Sequence, residues 1–217
     1  MFYNTFRETI TVKHGVIMKQ YRVAVTGGIG SGKSTVCDLL RKRGFPVYSC
    51  DEISKRLFQE PFYQEKLLSI FPMIAVDGVA DRKKLAELVF NDETQLQRLN
   101  DFTHPLIMDR LRTALQQDTS ALVFAEVPLL FEGGFENDFD FVIVVERNLE
   151  QRIQAVCARD SATPEAVSKR IARQWDYQSD EHRQKMKNPA YFSMNNDGTE
   201  MQLDDQLDCI LKKLPTI

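Results

Sequence analysis

Apolar positions follow two rhythms along this chain. Nearly continuous apolar runs occur at Tyr21–Thr26, Ala121–Val127 and Phe139–Val145, broken only by Arg22 and the closing Thr26, by Glu126, and by Asp140. Such runs predict parallel strands covered on both faces. Shorter runs at Pro46–Ser49 and Tyr191–Met194 predict two further, weaker strands. The second rhythm is helical. Val36, Leu39 and Leu40 recur at that spacing after Ser34, as do Leu85, Leu88 and Val89 after Asp81-Arg82, and the same pattern covers Leu149–Asp160 and Leu203–Leu214. Strand, helix and strand in that order predict a parallel sheet with right-handed crossovers.

The boundary residues agree with these elements. Arg41, Lys42 and Arg43 suit the end of the first helix, and Gly44 is placed to close it. Thr163-Pro164 predicts a cap followed by proline at the first helical position. Thr103-His104-Pro105 is expected to open a new helix, with Pro105 in its first turn. From Ile53 to about Leu115 the pattern is helical, with a turn at Asp77-Gly78 and no convincing strand. That stretch exceeds an ordinary crossover and reads as an inserted lobe. Met1–Ile17 has no period and no signal-peptide apolar core, and it precedes a second methionine, Met18. It reads as a dispensable extension.

Composition narrows the function class. The 217 residues are 43% apolar with a net charge of −3, enough for one core and poorly matched to sequence-independent nucleic-acid binding. Cys37, Cys50, Cys157 and Cys209 form no C-x-x-C pair, which argues for reduced thiols and a cytosolic setting. No run approaches the roughly 20 apolar residues that span a bilayer.

The chemistry is concentrated where the first strand meets the first helix. Gly27-Gly28-Ile29-Gly30-Ser31-Gly32-Lys33-Ser34 satisfies the phosphate-loop spacing G-x-x-x-x-G-K-[ST]. Its glycines let successive backbone N–H groups turn inward on an anion, aided by the positive end of the following helix. Lys33 is placed to reach the β- and γ-phosphates of a nucleoside triphosphate, and the Ser34 hydroxyl to ligate Mg²⁺. Asp51 follows the second strand, at the sheet edge where open α/β sheets bind ligands. It reads either as the group that takes or orients a hydroxyl proton or as a helix N-cap. Glu126 interrupts a buried strand, so it either serves Mg²⁺ through water or ends the strand at the surface. Lys169, Arg170, Arg173, Arg183, Lys185 and Lys187 either line a solvated helix face or belong to a lid over the phosphates. His104 by itself reads as a capping or core histidine. No G-protein base-recognition motif accompanies the loop, which counts against a nucleotide switch.

Taken together, these motifs resemble the dephospho-coenzyme A kinase family. The match rests on Thr26–Val36, Gly44 with Asp51, Asp77-Gly78 with Asp81-Arg82 and Leu85, and Thr103-His104-Pro105-Leu106-Ile107. It continues through Pro128-Leu129-Leu130-Phe131-Glu132, Arg159-Asp160, Gln174 and Asn196-Asp197-Gly198. The resemblance implies an α/β P-loop kinase: a parallel sheet flanked by helices, an inserted helical substrate domain and a lid. The core would be residues 18–51, 119–148 and 188–217, the insert about 52–118 and the lid about 149–187, after an N-terminal extension of 1–17. It implies ATP-dependent phosphorylation of the ribose 3′-hydroxyl of dephospho-coenzyme A, with Mg²⁺, by a cytoplasmic monomer or weak oligomer acting on a small molecule without nucleic acid or membrane. Lys33, Asp51 and Arg159 would be catalytic. Gly28, Ile29, Gly30, Ser31, Gly32, Lys33, Ser34, Thr35 and Asn196 would bind the nucleotide. Asp51, Arg82, His104, Pro128 and Leu129 would bind the acceptor, and Ser34 and Glu126 would serve the metal. The chain departs from the family at Ser49 and Tyr191, in a longer stretch from Trp175 to Asn188, and at Ala155, where the family usually has a basic residue; that leaves Arg159 to carry the phosphate contact, with the neighbouring Arg152 as the alternative.

The expendable extension is directly testable. Removal of residues 1–17 is expected to leave activity intact and to lower Tm by no more than about 4 °C, which at this chain size corresponds to roughly 1 kcal/mol. A larger fall would show that the segment packs on the core.

Overall fold

A computed structural model describes residues 10–13, 16–177, 179–185 and 190–215. Most of residues 1–17, and Lys185 and Lys187 of the expected lid, lie outside that set or have no described side chain. Where the extension is described, its backbone pairs as an antiparallel hairpin, β1 (Ile10–Lys13) with β2 (Val16–Lys19), a sheet of its own.

Two compact units divide the chain, one running through Tyr48 and resuming at Leu115, the other Ser49–Ala114. The first is built on β3 (Tyr21–Thr26), whose residues from Arg22 onward are all buried. Helix α1 (Lys33–Lys42) follows, then β4 (Val47–Ser49), β7 (Leu122–Glu126), β8 (Phe141–Glu146) and β9 (Ala190–Asn195). The sheet order is β4-β7-β3-β8-β9, and β3 pairs in parallel with both β7 and β8, as β8 does with β9. The winding reverses at β3. The crossover after it runs out to β4, whereas later crossovers run back past it, so the loop after β3 lies at the switch point where open sheets bind ligands.

The core explains the apolar runs. Val23, Val25, Phe124, Ile143 and Val145 from the strands pack with Val36, Leu40 and Met194, and with Leu203, Leu207 and Ile210 of α9 (Glu200–Leu211). Arg22 is tolerated inside because its surroundings are polar. Its backbone N–H donates to Asp140 Oδ2 at 2.9 Å and its Nε to Gln20 Oε1 at 3.3 Å. The expected ends hold as well. Gly44 takes φ 83° after α1 and donates to the Arg41 carbonyl. Helix α9 starts with a reciprocal capping box between Thr199 and Gln202.

The second unit contains α2 (Cys50–Leu57), α3 (Pro61–Ile70), α4 (Arg82–Asn91) and most of α5 (Glu93–Gln117). Two expectations are corrected here. A two-stranded hairpin, β5 (Ala75–Val76) with β6 (Val79–Ala80), sits where no strand was expected. Asp77 and Gly78 both have positive φ, 50° and 80°, as a primed hairpin turn requires. The second correction concerns Pro105, which opens no helix and lies inside the 25-residue α5. Proline removes one helical hydrogen bond there. The burial of Thr103, Ile107, Met108 and Leu111 on one stripe holds the helix through the defect.

A proline in a helix interior is about 3 kcal/mol less favourable than alanine. Pro105→Ala is therefore expected to raise Tm, at roughly 2–4 °C per kcal/mol recovered. A fall in Tm would show that packing around Thr103 and Ile107 requires the break.

Candidate active site

The phosphate loop spans the gap between β3 and α1, and protein atoms hold its shape throughout. Gly32 caps α1 in the left-handed region at φ 97°, and a Cβ there would strike Asn196 Nδ2. That closeness has a purpose, because Asn196 Nδ2 donates to the Ser31 carbonyl at 2.8 Å. Within the loop the Ser31 N–H donates to the Gly28 carbonyl. Lys33 Nζ folds back on the loop, donating to the carbonyls of Gly27 at 2.9 Å and Gly28 at 3.2 Å. Gly28, Ile29, Gly30, Ser31, Gly32, Lys33, Ser34 and Thr35 thus form one continuous loop and helix start, with Ser34 exposed in the first turn. No acidic residue occupies that turn, so nothing within it opposes an anion at the positive helix end. The Ser31 hydroxyl is buried and has no hydrogen-bond partner among the described residues.

Beside the loop, Glu126 ends β7 in register with Val25, half-buried. Its charge reaches α1. The Cys37 thiol is pushed up to about 12, first by burial and then by Glu126, with Arg41 and Lys33 opposing. Pro128 and Leu129, both half-buried, lie in the turn that follows β7.

The other wall comes from α6 (Leu149–Asp160) and from the segment between α7 (Pro164–Ala172) and α8 (Asp180–Lys185). Gln174 Oε1 accepts the Ile29 N–H at 2.7 Å. The Tyr177 hydroxyl lies 3.1 Å from Thr26 Oγ1 and also takes a hydrogen bond from the Gly27 backbone. Burial raises its pKa, so the phenol stays protonated. Trp175 stacks on Phe131 and on His182, at 5.4 Å and 4.1 Å between ring centroids, and its backbone N–H donates to Glu132 Oε1 at 2.8 Å. Arg152 Nε donates to the Ile29 carbonyl at 2.9 Å. Arg152, Gln174, Trp175, Asp176 and Tyr177, with Gly28, Ser31 and Glu146, line a cavity of about 350 Å³. Arg159 is placed differently. It is exposed at the end of α6, and both its Nε and a terminal nitrogen donate to Asp160, at 2.7 Å and 3.1 Å. Arg170 donates to the same carboxylate, and the two arginines hold Asp160 well below the usual carboxylate range.

Asp51, Arg82 and His104 belong to the second unit. Asp51 is exposed in the first turn of α2, whose N-cap is Ser49. Asp81 caps α4 by accepting from Lys83 and Lys84 N–H groups, which leaves Arg82 to stack over Phe58 at 4.4 Å. Tyr63 lies against Phe58 and Phe102, and its hydroxyl bonds Thr103 Oγ1 at 2.8 Å, one residue before His104. Burial lowers the His104 pKa, opposed by Asp101, which favours the neutral imidazole.

The residues the sequence pattern left without a role at the loop are Arg152, Gln174, Trp175 and Tyr177. Gln174 was visible as a family motif. Arg152 was readable only as the neighbour that takes over where Arg159 does not serve, and Trp175 and Tyr177 lie in the stretch expected to be longer than in the family.

Residues 21–202 match the family model described as dephospho-CoA kinase. A curated dephospho-CoA kinase of Deinococcus radiodurans is 38% identical over 196 residues, covering 89% of this chain and 92% of that protein. The solved structure of protein TT1252 from Thermus thermophilus superposes with a TM-score of 0.75 at 34% identity, covering 91% of this chain and 99% of that one. A dephospho-CoA kinase structure from Campylobacter jejuni gives 0.61 at 26% identity, covering 89% and 96%. With a family model spanning most of its length, the phosphate loop inside that span and relatives similar along nearly the whole chain, this protein belongs to the dephospho-CoA kinase family.

Proposed function

We propose that this enzyme transfers the γ-phosphoryl group of ATP to the ribose 3′-hydroxyl of dephospho-coenzyme A, giving coenzyme A and ADP. The observation that carries the reading is the phosphate loop, built as a rigid cradle on the central strand inside the segment that matches the family model. Phosphoryl transfer asks little covalent chemistry of a protein, so positioning and charge do most of the work. The loop N–H groups and the start of α1 would hold the phosphates. Lys33, now resting on Gly27 and Gly28, would turn its ammonium to the β- and γ-oxygens. Asn196 would keep Ser31 and Gly32 in place.

The donor set beside the loop suits Mg²⁺. Ser34 offers a hydroxyl, and Glu126 offers a carboxylate within electrostatic reach of α1, both hard oxygen donors. Mg²⁺ takes one or two such groups and completes its shell with phosphate and water. Ser34 would bind it directly and Glu126 through water, and the ion when bound neutralises charge on the phosphates.

Asp51 would accept or orient the proton of the 3′-hydroxyl. Its capping alternative loses ground because Ser49 holds the N-cap position and Asp51 lies two residues further on. Arg82, His104, Pro128 and Leu129 would hold the acceptor. Arg82 lies over Phe58 and His104 follows Thr103, which Tyr63 of the same aromatic cluster holds. Arg159 would act as a lid arginine once it exchanges Asp160 for phosphate. The reading places the enzyme in the cytoplasm as a monomer or weak oligomer. Among the described residues no helix is long and apolar enough to cross a membrane.

ADP release is expected to depend on dephospho-coenzyme A and to be slight with nucleosides or nucleoside monophosphates. ATP turnover of equal rate without any acceptor would contradict the reading. Lys33→Ala is expected to lower turnover on the order of 100- to 1000-fold with Tm preserved. A near-normal rate would remove the loop from the mechanism. Asp51→Asn, which changes little sterically, is expected to reduce turnover by about 100-fold or more while ATP affinity holds. Full activity in a folded variant would strike Asp51 from the catalytic residues.

A further inference from the structure

Arg152 carries a charge that the fold answers only at a distance, through the field of Asp176 in the same cavity. It is half-buried in α6, and no carboxylate comes within ion-pair distance of it among the described residues. Burial outweighs that distant support and lowers the guanidinium pKa, so the position is suited to an anion in direct contact from outside. Its direction is fixed. Nε is anchored on the Ile29 carbonyl, and a Cβ added at Gly28 would collide with Nη2 and Cζ, so the planar fork lies against the first turn of the loop. Lys33 Nζ also reaches Gly28. Two cations from different elements therefore converge on one glycine, at the end of the loop that faces the β- and γ-phosphates. The same cavity includes Ser31, whose buried hydroxyl has no partner among the described residues. Neither neighbour on the helix does this work in the structure. Ala155 carries no charge, and Arg159 grips Asp160 with two nitrogens.

We propose that Arg152 is a nucleotide-binding residue of this enzyme whose guanidinium takes the terminal phosphate of the triphosphate from the side opposite the loop N–H groups. The assignment rests on the kinase reading above. The fork can donate two parallel hydrogen bonds to phosphate oxygens, which an ammonium cannot reproduce. Because the contact is made to the group that leaves ATP, it discriminates ATP from ADP. Gly28 is part of the same device, since any side chain there would displace the fork.

The test compares ATP and ADP affinity by equilibrium titration without acceptor. Arg152→Ala is expected to weaken ATP roughly 10- to 100-fold, the range of a lost charge-assisted hydrogen bond, and to leave ADP nearly unchanged. Turnover with dephospho-coenzyme A should fall by about 100-fold or more. Arg152→Lys, which keeps the stem and the charge, should recover part of the ATP affinity and less of the turnover. If the alanine variant melts early, the lysine variant decides on the same ratio. An unchanged ATP-to-ADP affinity ratio in either folded variant would overturn the assignment, as would equal losses for both nucleotides, which mark a residue that only shapes the loop. Failure of the kinase reading looks different: the parent protein would bind ATP and phosphorylate no acceptor, while the affinity ratio would still decide where Arg152 acts.

Discussion

Everything in the first unit depends on holding inward-turned N–H groups and two cations at the end of one buried strand. Such a cluster repels itself, and its donors cannot be left bare in a buried turn. The protein answers with neutral acceptors. Gln174 takes the Ile29 N–H, the carbonyls of Gly27 and Gly28 hold Lys33, and the Ile29 carbonyl holds Arg152. Each contact is a modest hydrogen bond that a phosphate oxygen or its charge can replace with a stronger, charge-assisted one. The loop is thereby kept in shape by interactions weaker than those its ligand offers.

The sheet supplies rigidity for this arrangement. Strand β3 is flanked on both sides by parallel partners and has core residues on both faces, so the loop leaves from an almost immobile base. Support also arrives from far along the chain, through Asn196 after β9 and through Tyr177, whose hydroxyl bridges Thr26 and Gly27. Tyr177 is buried and its neighbours Gln174 and Trp175 are pinned to the loop and to Glu132. The segment that lines the cavity is therefore tied to the strand that leads into the loop, and moving it away breaks several hydrogen bonds together.

Much of this was legible in residue order because the physics is local. The phosphate-loop spacing, the glycine after α1, the Thr163-Pro164 start of α7 and the apolar runs of β3, β7 and β8 each follow from backbone geometry or burial within a few residues. What escaped was not local. Pro105 lies inside α5 because Thr103, Ile107, Met108 and Leu111 bury one stripe through it, and spacing alone does not reveal which stripe is buried. The β5–β6 hairpin is two residues per strand, too short for any alternation to show. Arg152 and Arg159 look alike in the sequence. Tertiary placement separates them, setting one against the loop and the other on its own neighbour Asp160.

The central claim is that the cradle delivers the terminal phosphoryl group to one particular hydroxyl. Phosphorus NMR of a complete turnover mixture of ATP, Mg²⁺ and dephospho-coenzyme A tests this most directly. The account predicts one new phosphomonoester signal, coupled to the ribose H3′ proton and growing in step with ADP. Growth of inorganic phosphate in its place, or a phosphomonoester coupled to a different position, would contradict it.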